Sequence, residues 1–369
     1  MRQRSSSWWL LMGWIGLILY ASLYPFEPWR WPPGLELLDL FMLPWPRRLF
    51  GYDVLINVVG YAPLGLLLFA VHLRHGGRLR GALALSVLVP PLVSYSMEVL
   101  QTFLPGRVPS LSDWLFNSLG ALAGVVIGLG LRAAGGLRRW EDIRADWFAP
   151  RTSAAQVLLL VWPVGLLFPT PLALGVGQWL PRLESMAYDA LDGTPWALAD
   201  PLDDPPVMPL PPGLEALGTA LGLLAPVLLA LAIARPGWRR LPLIAGTLLL
   251  GMLGMSVATG LSVGPQHAFA WMTLQAKAGL GLGLVLSLLC VPLAGRTAAA
   301  LGLIVLCALI ALVTQAPNDP YLLASLQTLQ FGRYINLYGM AQWIGWVWPF
   351  ATLAWLLGRV AAAGGRDPG

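Results

Sequence analysis

Residues 94–117 read Ser-Tyr-Ser-Met-Glu-Val-Leu-Gln-Thr-Phe-Leu-Pro-Gly-Arg-Val-Pro-Ser-Leu-Ser-Asp-Trp-Leu-Phe-Asn. One apolar run of membrane length ends in this stretch and another begins in it, yet Glu98, Gln101, Arg107, Asp113 and Asn117 all fall within it. An ionisable group on a membrane-spanning helix is costly, so it is a candidate functional site by default, with a partner expected nearby. The remainder of the chain reads as the scaffold that brings this cluster to one face of a membrane.

The solvent follows from composition. Of 369 residues, 57% are hydrophobic and 11% charged, and the mean hydropathy is +0.68. Soluble domains carry about 25% charged residues. The apolar runs are continuous rather than alternating, which excludes a transmembrane β-barrel and leaves an all-α, polytopic transmembrane helix bundle. The two cysteines, Cys290 and Cys307, lie in apolar runs and read as small hydrophobes, neither a disulfide nor a metal pair. The net charge of +5 sits in short inter-helix loops and gives no reason to expect a nucleic-acid partner.

Apolar runs of spanning length occur near 8–24, 54–73, 79–103, 113–131, 154–174, 214–234, 241–261, 271–294, 297–315 and 341–360. About ten spans are therefore expected. Short cytoplasmic loops are enriched in Lys and Arg. The basic clusters Arg2/Arg4, Arg74/Arg78/Arg80, Arg132 to Arg151, Arg235/Arg239/Arg240, Arg296 and Arg359/Arg366 fall on alternate connections and place 16 of the 23 basic residues on one side. Glu27, Glu36, Asp39, Glu184, Asp189, Asp192, Asp200, Asp203 and Asp204 fall on the other. The expected topology has both termini in the cytoplasm. The first run lacks a small-x-small cleavage site at its exit, Ala-Ser-Leu-Tyr-Pro-Phe (21–26), and reads as a retained helix.

The organisation expected is a four-helix membrane domain over 1–132, a cytoplasmic linker over 133–153 and a six-helix membrane region over 154–369. Within the linker, Trp140 to Trp147 has the pattern of a short surface helix. Residues 25–53 hold Trp29, Trp31 and Trp45 among prolines, a composition suited to interfacial or re-entrant segments.

With that orientation the polar residues acquire depth. Asp53, Asn57 and Tyr61 are spaced by four at the outer turns of the second span. Ser94, Glu98 and Gln101 form a stripe at the outer end of the third. Asp113 and Asn117 begin the fourth, and Gly120, Ala121 and Gly124 continue that face with small residues that permit close helix approach. Arg107 lies in the loop between two stripes, with Glu98, Asp113 and Asp53 as its nearest acidic candidates. Its planar fork suits a carboxylate or phosphate. Glu98 and Asp113 are candidate acid/base residues, while Asp53, Asn57, Tyr61, Ser94, Gln101, Arg107 and Asn117 are candidate ligand contacts. No transition-metal spacing and no cofactor fingerprint is present. A structural account stands beside the functional one: amides and hydroxyls pack helices, Asp113 caps a helix start, and Arg107 neutralises one carboxylate. Pro90-Pro91 interrupts the third span and is expected to leave carbonyls free near Ser94.

The residues just quoted resemble the VanZ-like family, bacterial membrane proteins named for one linked to teicoplanin resistance. The resemblance rests on Tyr24-Pro25-Phe26, on Asp53-(x)3-Asn57-(x)3-Tyr61-Ala-Pro-Leu-Gly65, and on Ser94-(x)3-Glu98-(x)2-Gln101. Pro105-Gly-Arg107 and Ser112-Asp113-(x)3-Asn117-(x)2-Gly120-(x)3-Gly124 complete it. It covers about residues 8–132. Asn57 stands where the family often has histidine, which weakens any proposal of a histidine acid or base at that position of the second helix. The resemblance implies a role in the bacterial cell envelope at the inner membrane, including glycopeptide antibiotic resistance. It establishes no reaction and no oligomeric state.

Beyond that region, Gln266, His267, Gln275 and Lys277 cluster at the start of the eighth run, and Gln327, Gln330, Arg333, Tyr334 and Asn336 precede the tenth. Lys277, expected two turns inside its span, either snorkels to the interface or joins Arg333 in a second anion-binding wall. Residues 321–340 have the spacing of an interfacial helix, with Trp343, Trp346 and Trp348 expected at headgroup level. The expected partners are membrane lipids and a lipid-linked or glycan envelope precursor, bound at an outward-facing pocket. A transporter and a non-enzymatic scaffold are the alternatives.

Overall fold

The computed structural model describes residues 6–24, 26, 28–36, 39–46, 51–168, 170–179, 183, 187–188, 190–194, 210–316 and 337–362, the side chains of Ser6, Tyr52, Asp53, Leu137, Leu337, Tyr338 and Gly339 excepted. The described residues are helical, with no strand among them, and form two compact units that meet in sequence at Asp146 and Trp147. Among the described residues seven helices are long and apolar enough to cross a membrane, and three shorter apolar ones accompany them. Lipid as the solvent explains the apolar side chains left outside, among them Leu88 and Leu92 at 62% and 66% exposure. The chain is a multi-pass membrane protein.

The first unit contains α1 (Ser6–Leu23), a 3-10 turn (Asp39–Phe41), α2 (Gly51–Arg74), α3 (Leu79–Gln101), α4 (Leu111–Ala133) and most of α5 (Gly136–Trp147). Its tightest contact joins α2 and α4. A Cβ placed on Gly120 would lie 2.3 Å from the Val58 carbonyl oxygen, and one on Gly124 would lie 1.9 Å from that of Ala62. The two backbones touch, as the small-residue face predicts. Helix α1 lies on α2, where the Trp14 indole donates to the Gly60 carbonyl at 2.8 Å and Arg74 hydrogen-bonds the Ser7 hydroxyl. Leu11, Ile18, Tyr61, Leu64, Met97 and Ala121 form the apolar interior between them.

Helix α3 runs unbroken through Pro90 and Pro91. A proline withholds the N–H that would bond the carbonyl four residues earlier. The carbonyls released are therefore those of Ser86 and Val87, two turns from Ser94, which corrects the expectation of free carbonyls beside Ser94. Pro91 instead offers its own carbonyl to the Trp114 indole at 3.1 Å.

The second unit holds α6 (Ser153–Gly165), α7 (Pro212–Ile233), α8 (Arg240–Val263), a 3-10 turn (Pro265–His267), α9 (Leu274–Leu289), α10 (Gly295–Val313) and α11 (Leu337–Ala361). Helix α7 is its axis, buried without a break from Gly222 to Ile233 and packed against α6, α8, α9 and α10. The run expected to span 154–174 is helical only to Gly165. Pro171 cannot extend the hydrogen-bond ladder. The chain instead continues as irregular backbone that buries Leu172, Leu174 and Val176, with the Gln178 amide donating to Val313 and Ala316 carbonyls at 2.8 and 2.7 Å. Non-helical backbone among apolar helices is tolerated where protein surrounds it. Trp348 also departs from the headgroup expectation. It is 3% exposed, packs on Trp162 and donates to the Leu158 carbonyl at 2.8 Å, because an indole on the inner face of α11 meets the backbone of α6 there. The expected interfacial helix over 321–340 lies almost entirely outside the described residues.

Candidate functional site

The turn between α3 and α4 is where the polar residues of the first unit gather. Glu98, in the last turn of α3, is 3% exposed, and its Oε2 accepts a hydrogen bond from the Ser110 backbone N–H at 2.8 Å. Ser110 is the N-cap of α4. Its hydroxyl accepts from the Ser112 N–H at 3.2 Å, and Ser112 Oγ in turn meets Ser110 Oγ at 2.8 Å and Asp113 Oδ1 at 3.3 Å. The carboxylates of Glu98 and Asp113 thus stand at the N-terminal end of α4, where exposed N–H groups and the helix dipole favour negative charge. One turn deeper, the Asn117 amide donates to Ser94 Oγ at 2.9 Å, with both residues buried. The Asn117 Oδ1 is buried without a hydrogen-bond partner, and the Tyr61 hydroxyl lies near Ser94 and Glu98 with no well-formed hydrogen bond of its own.

Arg107 and Gln101 turn the other way. Helix α1 ends with carbonyls that have no donor in their own helix. Arg107 donates from Nε to the Tyr24 carbonyl at 3.0 Å and from a terminal nitrogen to that of Ala21 at 2.8 Å. The Gln101 amide takes the Ser22 carbonyl at 2.9 Å. The guanidinium expected to bind a carboxylate or phosphate is thus engaged with the last turn of α1, a position where a cation also complements the helix dipole. Burial pushes its pKa below the ordinary arginine value, and the neighbouring Glu98 carboxylate pushes it back up. Replacing Arg107 with alanine is expected to leave two carbonyls undonated and to destabilise the first unit by about 1–3 kcal/mol. Loss of melting temperature in the purified full-length protein, with increased proteolysis between α1 and α2, measures this.

A surface lies over the same turn. The segment preceding α2 folds back across it: Arg30 N–H donates to the Phe103 carbonyl and Leu111 N–H to that of Pro44, both at 2.9 Å, and the Tyr95 hydroxyl donates to Phe41 at 2.6 Å. Between segment and turn is a groove of about 330 Å³, walled by Leu35, Leu40, Met42 and Pro44, with Asp39 and Thr102 as its polar groups. Trp29, Trp31 and Trp45 of the same segment are about half exposed, the Trp31 ring meeting Phe103 at a tilt with centroids 5.4 Å apart. Thr102 and Pro109 of the groove lie next to the residues that hold Glu98.

The structure therefore joins buried Tyr61, Ser94, Glu98 and Asn117 and half-buried Asp113 in one cluster, with Gln101 and Arg107 beside it facing α1. Asn57 is half-buried on α2. The Asp53 side chain and Arg333 lie outside the described residues. Lys277 stands in the first turn of α9 and is exposed, because the helix begins only at Leu274, capped by the Thr273 hydroxyl. Among the described residues no group of three His, Cys, Asp or Glu side chains is placed to hold a metal.

Sequence reasoning missed Arg240. It reads as one of several loop arginines, yet it is 1% exposed. Its guanidinium donates to the carbonyls of Val291 and Leu293 at 2.5 and 2.6 Å, and to those of Leu231 and Ala234 at 3.3 and 3.4 Å. The Pro236-Gly237 turn three residues before it was the available signal, since that turn folds α8 back against the end of α7.

A bundle of apolar helices with a buried carboxylate beneath one connecting turn defines an α-helical multi-pass membrane protein. Its N-terminal part is VanZ-like: the family model described as VanZ/LLP1 matches residues 7–132, and the multi-helix region that follows lies beyond the match. No curated protein and no solved structure shows a significant match to the chain.

Proposed function

We propose that the protein works in the bacterial cell envelope, in the cytoplasmic membrane with both termini in the cytoplasm, and that the groove over the α3–α4 turn faces outward and binds an amphipathic lipid-linked or glycan envelope intermediate. The observation that carries this is the groove itself: apolar walls of about 330 Å³ with one carboxylate and one hydroxyl. Largely apolar pockets with a few placed polar groups are the usual form of a small-molecule site. The tryptophans of the segment preceding α2 suit the headgroup region, and the Glu98 cluster fixes the turn that forms the floor of the groove. A contribution to glycopeptide tolerance follows from the VanZ-like likeness.

Leu40→Trp fills the groove and Asp39→Asn removes its charge. At wild-type protein levels, both are expected to lower glycopeptide tolerance and to change the pool of lipid-linked precursors. Wild-type susceptibility and precursor composition in both variants reject the reading. The engagement of Arg107 and Gln101 with α1 favours a second one, a non-enzymatic scaffold in which the polar cluster only holds helices together. The groove variants separate the two, since a scaffold held by the polar cluster tolerates Leu40→Trp and Asp39→Asn. Glu98→Gln, which keeps the acceptor for Ser110 N–H and loses the charge, tests further whether Glu98 acts as acid or base, because only then does function fall with the protein still folded.

A further inference from the structure

We infer that α5 is an interfacial anchor whose exposed face sits on an anionic phospholipid surface. Its position comes first. Helix α4 ends at Ala133, Gly135 at φ +69° reverses the chain, and α5 begins at Gly136. Glu141 pairs with Arg74, the last residue of α2, at 3.2 Å, and Arg74 also bonds Ser7 at the start of α1. The helix therefore lies level with the ends of three apolar helices, at the edge of whatever bilayer they cross. Trp140 and Ile143, three residues apart on one face, are 54% and 52% exposed. Arg139, exposed, stands four residues before Ile143 and shares that edge with Asp146, while Arg144, half-buried, stands four after Trp140 on the other edge; Asp142 points away from Trp140. An apolar stripe edged by arginine is the pattern of a helix lying in the plane of a membrane surface.

Charge selects the kind of lipid. At this end of the unit Arg78, Arg80, Arg132, Arg138 and Arg139 are all exposed against two exposed acids, Asp142 and Asp146, and Glu141 is engaged with Arg74. Such an excess of arginine over the headgroup plane attracts phosphatidylglycerol or cardiolipin.

The test uses the full-length protein with Cys290 and Cys307 replaced by alanine, reconstituted in vesicles of phosphatidylcholine with or without phosphatidylglycerol. Nitroxide labels are attached to Trp140→Cys, Ile143→Cys and Asp142→Cys in turn. Labels at 140 and 143 are expected to favour collision with oxygen, and the label at 142 with an aqueous nickel chelate. That periodicity also reports that α5 is folded. Phosphatidylglycerol is expected to deepen the label at 143, and Arg138→Gln with Arg139→Gln is expected to abolish the deepening. Equal nickel accessibility at all three positions overturns the inference and leaves the face open to a protein partner. Equal depth in both vesicle types overturns the lipid selectivity.

Discussion

Valine at position 124 is expected to prevent the first unit from packing. A Cβ there would sit 1.9 Å from the Ala62 oxygen and 2.9 Å from the Leu66 nitrogen, and both are backbone atoms that no rotamer change can move aside. Overpacking among side chains costs about 1–3 kcal/mol, and separating two helix backbones costs more, because every contact along α2 and α4 is lost with them. Gly120→Val and Gly65→Val meet the Val58 and Ala121 carbonyls at 2.3 and 2.1 Å and should behave alike. Gly130→Val, with nothing within 4 Å, should melt with the wild type. Size-exclusion profiles of detergent-solubilised protein after a temperature series distinguish these outcomes. A Gly124→Val protein as stable as the Gly130→Val protein contradicts the packing described here.

The second large effect is expected at Arg240. Arg240→Met fills similar volume but supplies no donor, and four carbonyls at the ends of α7 and beyond α9 lose their partner together. Each unsatisfied buried acceptor costs about 1–3 kcal/mol, and the losses are not additive. A destabilisation of at least about 3 kcal/mol is expected. Arg240→Lys, with a single ammonium and no fork, should recover only part of it. Thermal melting of the full-length protein in detergent checks the order wild type, lysine, methionine. A methionine variant equal to wild type would show that these hydrogen bonds contribute little.

The position of each helix was legible because apolar runs in a lipid solvent have few alternatives. The close approach of α2 and α4 was legible too, since Gly120, Ala121 and Gly124 repeat on one face. The details that escaped depend on what lies opposite a residue, which a one-dimensional pattern does not contain. Arg107 and Glu98 look alike as ionisable groups near a membrane surface, yet one meets the carbonyl end of α1 and the other the N–H end of α4. Arg240 differs from Arg239 only in the direction its side chain leaves the helix. The run after Gly165 is apolar enough to have been read as helix to 174, and its prolines were outweighed by hydropathy.

Helix α7 carries a consequence for biogenesis. It is among the most apolar of the described helices, although protein rather than lipid covers most of it. Three of the helices that enclose it, α8, α9 and α10, leave the ribosome later. During synthesis α7 must therefore pass from the translocation channel and wait in acyl chains with its flanks bare. Its uniform apolarity meets the demand of that interval, and a polar substitution at Leu228 that the finished bundle could shelter is expected to fail earlier, at membrane insertion.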